Sequence, residues 1–117
     1  MTKRVEKSKL VRDRIPEIIS ASGKKPVTKV LTPDAYLECL HEKLDEELQE
    51  YHETRSIDEL VDLAEVMDAI LAYRCVSRET FQVMQQEKRK ERGAFEKRLF
   101  LMGVEDPSVD TGSGGGK

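Results

Sequence analysis

Glu46, Glu47 and Glu50, followed after a short break at Thr54-Arg55-Ser56 by Glu59 and Asp62, are the residues of this chain best placed to do chemistry. Between Asp34 and Asp68 lie 13 of the 23 acidic residues, against Lys43 and Arg55 as the bases. Carboxylates three and four positions apart share a helix face, where like charges destabilise the helix. A sequence that stacks them this way calls for a compensating cation, and a divalent metal is the first candidate. Mg²⁺ takes oxygen ligands in near-octahedral geometry and keeps several waters, so a few carboxylates from two neighbouring helices make an adequate cage. Mn²⁺ satisfies the same donors. A further Glu-x-x-Asp pair, Glu65 and Asp68, repeats the spacing and stands as the alternate to Glu59 and Asp62.

Two helices must position these groups. Thr32-Pro33 supplies an N-cap and an N1 proline, which predicts a helix from there to about Glu53. Its apolar stripe is Leu37, Leu40, Leu44, Leu48 and Tyr51, a core-facing amphipathic pattern. On that wheel Glu47 lies roughly 60° from the centre of the stripe and Glu50 roughly 120° away on the same side, while Glu46 is nearly opposite. Ser56 opens the next helix, which runs to about Arg74 with Leu60, Leu63, Val66, Met67, Ile70 and Leu71 as its apolar positions. Glu59 and Asp62 have the same offsets there, roughly 60° and 120°. Glu65 points almost directly away from the apolar face. Ser56-x-x-Glu59 also reads as a capping box, which would explain Glu59 without a metal. The short break makes the two helices packed neighbours.

The rest of the chain is read more simply. Residues 1–8 are polar and loose. A short helix begins near Pro16, runs through Ile18 and Ile19 and stops at Gly23; Lys25 to Leu31 is an extended connector or a strand. A third long helix starts near Ser77 and ends before Gly93, with Phe81 and Met84 on it, and Phe95, Leu99, Phe100 and Leu101 form a last apolar patch; Phe81, Met84, Phe95 and Phe100 are expected in the core or at a subunit contact. Residues 1–104 are expected to form one domain and 105–117 a Gly/Ser-rich flexible tail.

Charged residues are 37% of the 117 and aromatics 5%, with no Trp, so one copy buries a thin core and a homodimer or higher homo-oligomer is expected. The fold class is therefore all-α: a helical bundle with a short N-terminal helix and an extended connector, completed by oligomerisation. The net charge of −3 conceals an asymmetry. Residues 1–29 carry nine bases and three acids, and Gln86 to Arg98 carry six bases and three acids. Acids for a cation and bases for phosphates suit a metal-bound, phosphate-bearing small ligand. They suit nucleic acid less, since no long basic surface or aromatic stacking motif stands out. Cys39 and Cys75 lack metal or disulfide spacing and fit a reducing compartment. With no apolar run of spanning length and no signal-peptide core, a cytoplasmic protein without membrane contact is expected.

Glu46-Glu47-x-x-Glu50 followed by Glu-x-x-Asp resembles the signature of the MazG-like, all-α nucleoside triphosphate pyrophosphohydrolase superfamily, which includes phosphoribosyl-ATP pyrophosphohydrolase. The flanks are more distinctive. Lys9-Leu10-Val11-Arg12-Asp13-x-Ile15-Pro16, Gly23-Lys24-Lys25-Pro26-Val27 and Arg92-Gly93-x-Phe95-x-x-Arg98-x-Phe100-Leu101 resemble a small house-cleaning branch assigned to clearing non-standard nucleotides. The similarity covers about residues 8–102. It implies cleavage of the α–β phosphate bond of a nucleotide with release of pyrophosphate, in the presence of Mg²⁺. It also implies roles: Glu47, Glu50, Glu59 and Asp62 as metal ligands, Glu46 orienting or deprotonating the attacking water, and Lys9, Arg12, Lys88, Arg92 and Arg98 neutralising phosphate oxygens.

Plainer readings stand beside these. Helix glutamates are more often a solvated face than a metal cage, and Lys88 to Arg92 matches an exposed helix end whose bases complement the dipole. Arg12 and Asp13 can simply pair with neighbours. His41 and His52 have no nucleophilic or ligand constellation around them, and Cys39 and Cys75 read as small helix fillers. A phosphoribosyl-ATP hydrolase of histidine biosynthesis is the alternative enzyme. A helical interaction module without turnover is the alternative of a different class.

Overall fold

In the computed structural model, which describes residues 8–108, four helices account for all the regular structure and no strand occurs among the described residues. They are α1 (Ile15–Ala21), α2 (Pro33–Thr54), α3 (Ile57–Tyr73) and α4 (Arg78–Arg92). The fold is all-α. The Gly/Ser-rich run of the expected tail and most of the polar N-terminal stretch lie outside the described residues. None of the described helices is long and apolar enough to cross a membrane.

Local chemistry sets the helix limits. Thr32 caps α2 through Oγ1, which accepts from the Ala35 N–H at 3.3 Å, and Pro33 follows at the first helical position, where its missing N–H costs nothing. The helix ends when Arg55 turns to φ 58° while its N–H still reaches the Tyr51 carbonyl at 2.7 Å. A left-handed turn at a residue with a side chain is uncommon, and here it lets α3 start two residues later. Gly23 at φ 91° ends the turn after α1, and Gly93 at φ 85° follows α4.

The α2–α3 hairpin holds the core. Tyr36 at the start of α2 meets Tyr73 at the end of α3, ring centroids 6.0 Å apart, while Glu50 and Glu59 meet near the connection. Fourteen residues separate Tyr36 from Glu50 and Glu59 from Tyr73, so the two antiparallel helices run in step over about 21 Å. Leu40 on α2 and Val66 on α3 are the buried apolar residues between these ends.

Several expectations change at this level. Lys25 to Leu31 is the expected connector and not the alternative strand: no pairing partner occurs among the described residues, and Val30 is 99% exposed. Phe95, Leu99, Phe100 and Leu101 are not in the core of this chain, being 78% or more exposed. Their position in the sequence marks them as apolar but does not supply a surface to cover them. Leu48, Leu60 and Met67 of the hairpin are also largely open, because one hairpin can cover only one side of each stripe. Cys39 lies on α2, but Cys75 is not a helix filler; it sits in the turn after α3 at φ 60°. Among the described residues the chain separates within α4 into two units, one ending at Phe81 and the other starting at Gln82.

Candidate metal centre

Glu47, Glu50 and Glu59 come together across the hairpin, each offering a carboxylate oxygen within 4.8 Å of the other two. The helical wheel explains the meeting: Glu47 and Glu50 flank the apolar stripe of α2 on one side, and Glu59 has the matching offset on α3. Glu47 is the most enclosed member, only 6% exposed, and its Oε1 has no hydrogen-bond partner. Glu59 Oε1 is likewise shut off from solvent and unpartnered. A buried carboxylate oxygen left without a donor is costly, so such groups are normally paired or bound to a metal.

The electrostatics follow from this crowding. Burial, then the charge of Glu50, push the Glu47 carboxyl above its ordinary value, with Asp62 and Glu46 adding and Lys43 opposing. Loss of solvent and the Glu50 carboxylate do the same to Glu59, with smaller contributions from Asp62 and Asp58. Lys43 is the one base within the acidic run that reaches in. Its Nζ lies 3.6 Å from Glu47 Oε2 and 3.3 Å from Glu46 Oε1, with its side chain 16% exposed. One ammonium against this many carboxylates leaves net negative charge at the seam.

The donor set suits a hard divalent cation. Adjacent oxygens of a Mg²⁺ octahedron are about 3.0 Å apart and opposite ones about 4.2 Å, while the three glutamate oxygens lie within 4.8 Å of one another. Small changes in glutamate side-chain torsions bridge the difference, and waters complete the shell. The capping-box explanation for Glu59 does not hold, because Ser56 makes no side-chain cap bond. The Ser56 carbonyl instead accepts from the Glu59 N–H at 3.2 Å, and the Glu59 side chain turns to Glu50.

The remaining expected residues fall elsewhere. Asp62 stands beside the trio but is engaged by Arg12, whose Nη2 donates to its Oδ1 at 2.7 Å. The alternate pair does not join the cluster: Glu65 is exposed, and Asp68 pairs with Arg78 at the start of α4. Glu46 is half-buried rather than turned to open solvent, because the segment ahead of α1 covers that side of α2. Ser8, Lys9 and Leu10 line a cavity of about 440 Å³ with Cys39, Glu42, Lys43 and Glu46. Lys9 and Arg12 thus lie with the hairpin in the first unit. Lys88, Arg92 and Arg98 belong to the second unit and are exposed there, Arg98 at φ 55°. His41 and His52 are exposed on α2. Lys43 is the residue that reading the sequence missed. Its position three and four residues before Glu46 and Glu47 was the available signal.

No family model matches the chain, and no solved structure matches it. An uncharacterized protein of Mycolicibacterium smegmatis (strain ATCC 700084 / mc(2)155) is 56% identical over 43 residues, which is 37% of this chain and 44% of that protein. The chain therefore spans less than half the length of the relative it matches.

Proposed function

We propose that the chain is a Mg²⁺-dependent nucleoside triphosphate pyrophosphohydrolase, splitting the α–β phosphate bond of a nucleotide, standard or non-standard, and releasing pyrophosphate. The observation that carries this reading is the buried Glu47 carboxylate, whose Oε1 has no hydrogen-bond partner, meeting Glu50 and Glu59 with carboxylate oxygens of all three within 4.8 Å of one another. The resemblance of the acidic and flanking motifs to MazG-like enzymes supports the same reaction.

In this reading Glu47, Glu50 and Glu59 hold the cation, and Asp62 joins them. A bound divalent cation neutralises phosphate charge and lowers the pKa of a coordinated water. Glu46 accepts the proton of the attacking water as that water's oxygen bonds to phosphorus and the α–β bridging P–O bond breaks. Lys43 holds Glu46 and Glu47 in fixed relation, so the acceptor and the cage move as one. Lys9 and Arg12 supply positive charge to the phosphates. The protein works as a homodimer or larger assembly in a reducing, cytoplasmic setting. The open Leu48, Leu60, Val61 and Met67 supply the apolar surface for assembly, and the free thiols of Cys39 and Cys75 fit that compartment.

Pyrophosphate release from a panel of standard and non-standard nucleoside triphosphates, with and without Mg²⁺, tests the proposal. Turnover that needs Mg²⁺ and is nearly abolished in Glu50→Gln is the expected result. Equal activity of the variant would remove Glu50 from the site. Absence of turnover on every nucleotide, phosphoribosyl-ATP included, would favour a non-catalytic helical module, a reading that the open apolar hairpin also accommodates.

A further inference from the structure

Ahead of α1, Arg12 reaches the acidic seam with its guanidinium. Arg12 donates from Nη2 to Asp62 Oδ1 at 2.7 Å, joining residues 50 positions apart. Asp62 lies three residues beyond Glu59 on α3, and its charge is felt by both Glu47 and Glu59. One carboxylate therefore belongs to two neighbourhoods, the glutamate cluster and the guanidinium.

The Arg12 and Asp62 side chains are 52% and 43% exposed, and ion pairs this open hold weakly. A cation drawn in by the buried Glu47 carboxylate would compete with Arg12 for the Asp62 carboxylate, whose Oδ1 the guanidinium holds. The guanidinium loses little by the exchange, because its planar fork fits a phosphate as it fits a carboxylate. We propose that Arg12 is a positioning residue that couples cation to phosphate: it holds Asp62 until a divalent cation claims that carboxylate, and the released guanidinium then clamps the phosphates the cation carries. This inference rests on the metal–nucleotide reading above and adds an order of events to it. Metal entry arms the phosphate clamp, and phosphate bound by Arg12 in turn removes the competitor from Asp62. By linkage, each ligand tightens the other.

Calorimetric titration of the full chain with Mn²⁺ alone, then with inorganic pyrophosphate at saturating Mn²⁺, tests the coupling. Arg12→Ala is expected to bind Mn²⁺ roughly two- to fivefold more tightly than the wild type, as an exposed competitor is removed. It is expected to bind pyrophosphate about tenfold more weakly, the loss of one charge-assisted hydrogen bond. Arg12→Lys should recover part of the pyrophosphate affinity. In an Asp62→Asn background the gain in Mn²⁺ affinity from Arg12→Ala should vanish. Arg12→Gln, which keeps the stem of the side chain, gives the same comparison if the alanine variant loses helicity by circular dichroism. Mn²⁺ affinity that is unchanged or weaker in the Arg12 variants, with wild-type binding intact, overturns the coupling alone. Wild-type protein that binds no Mn²⁺ overturns the metal reading and the coupling with it.

Discussion

Glu50 and Glu59 stand on different helices, yet bring carboxylate oxygens within 4.8 Å of each other at the α2–α3 seam, with Glu47 buried beside them. Nothing in helix formation requires this. The hairpin would pair as readily with neutral side chains at these positions, so the repulsion is a cost carried by the fold alone. Glu50→Gln is expected to raise the melting temperature by a few degrees in chelator-treated buffer, since relieving one like-charge contact is worth about 0.5 kcal/mol. It is also expected to lose most of the stabilisation that Mg²⁺ gives the wild type, because a cation that binds the folded state raises its melting point.

The same crowding fixes the sign of a pH dependence. Glu47 and Glu59 have carboxyl pKa values raised above the ordinary glutamate value of about 4.3. Between that value and the raised ones, the folded state binds more protons than the unfolded state, so stability falls as pH rises through the window. Thermal melts in chelator should show this loss from about pH 4.3 upward. Glu47→Gln should flatten it, and saturating Mg²⁺ should suppress it by favouring the ionised cage. A Glu47→Gln profile parallel to that of the wild type would place the burial effect elsewhere.

Leu40 and Val66 form the whole buried apolar core of the hairpin, and they keep Glu47 facing Glu59. Leu40→Ala should cost about 2–4 kcal/mol by leaving a cavity. With so thin a core, that loss should appear as a large drop in helical signal at 37 °C together with loss of metal binding. A variant that keeps wild-type stability would show that the hairpin is held from outside itself.

Much of this was legible in the sequence, and the reasons are local. The Thr32-Pro33 start, the break at Thr54-Arg55-Ser56 and the stop at Gly93 depend on backbone chemistry within a few residues, and each was predicted to within one or two positions. Glu47, Glu50 and Glu59 could be placed on facing sides because helical offsets follow from spacing. The Arg12–Asp62 pair and the cover over Glu46 could not, because both depend on the path of an irregular segment whose course no periodicity records. For Phe95, Leu99, Phe100 and Leu101 the reason is different. Hydrophobic residues declare that they need a surface but not which chain provides it, and within this chain they stay exposed.

Val61, Leu60 and Met67 give α3 an open apolar face, 57%, 39% and 39% exposed. If copies of the chain associate there, as the proposed assembly requires, sedimentation velocity should show a dimer or larger species and a melting temperature that rises with protein concentration. Met67→Lys should shift the population toward monomer. A wild-type chain that sediments as a monomer at high concentration would separate the site from any need for assembly.

The central claim is that Glu47, Glu50 and Glu59 share one divalent cation. Crystals grown with Mn²⁺ and measured for anomalous scattering test it most directly. The expected map has a strong peak ligated by an oxygen from each of the three glutamates, and no such peak in Glu47→Gln. A wild-type map without density at the seam, with the three carboxylates turned apart into solvent, would contradict it.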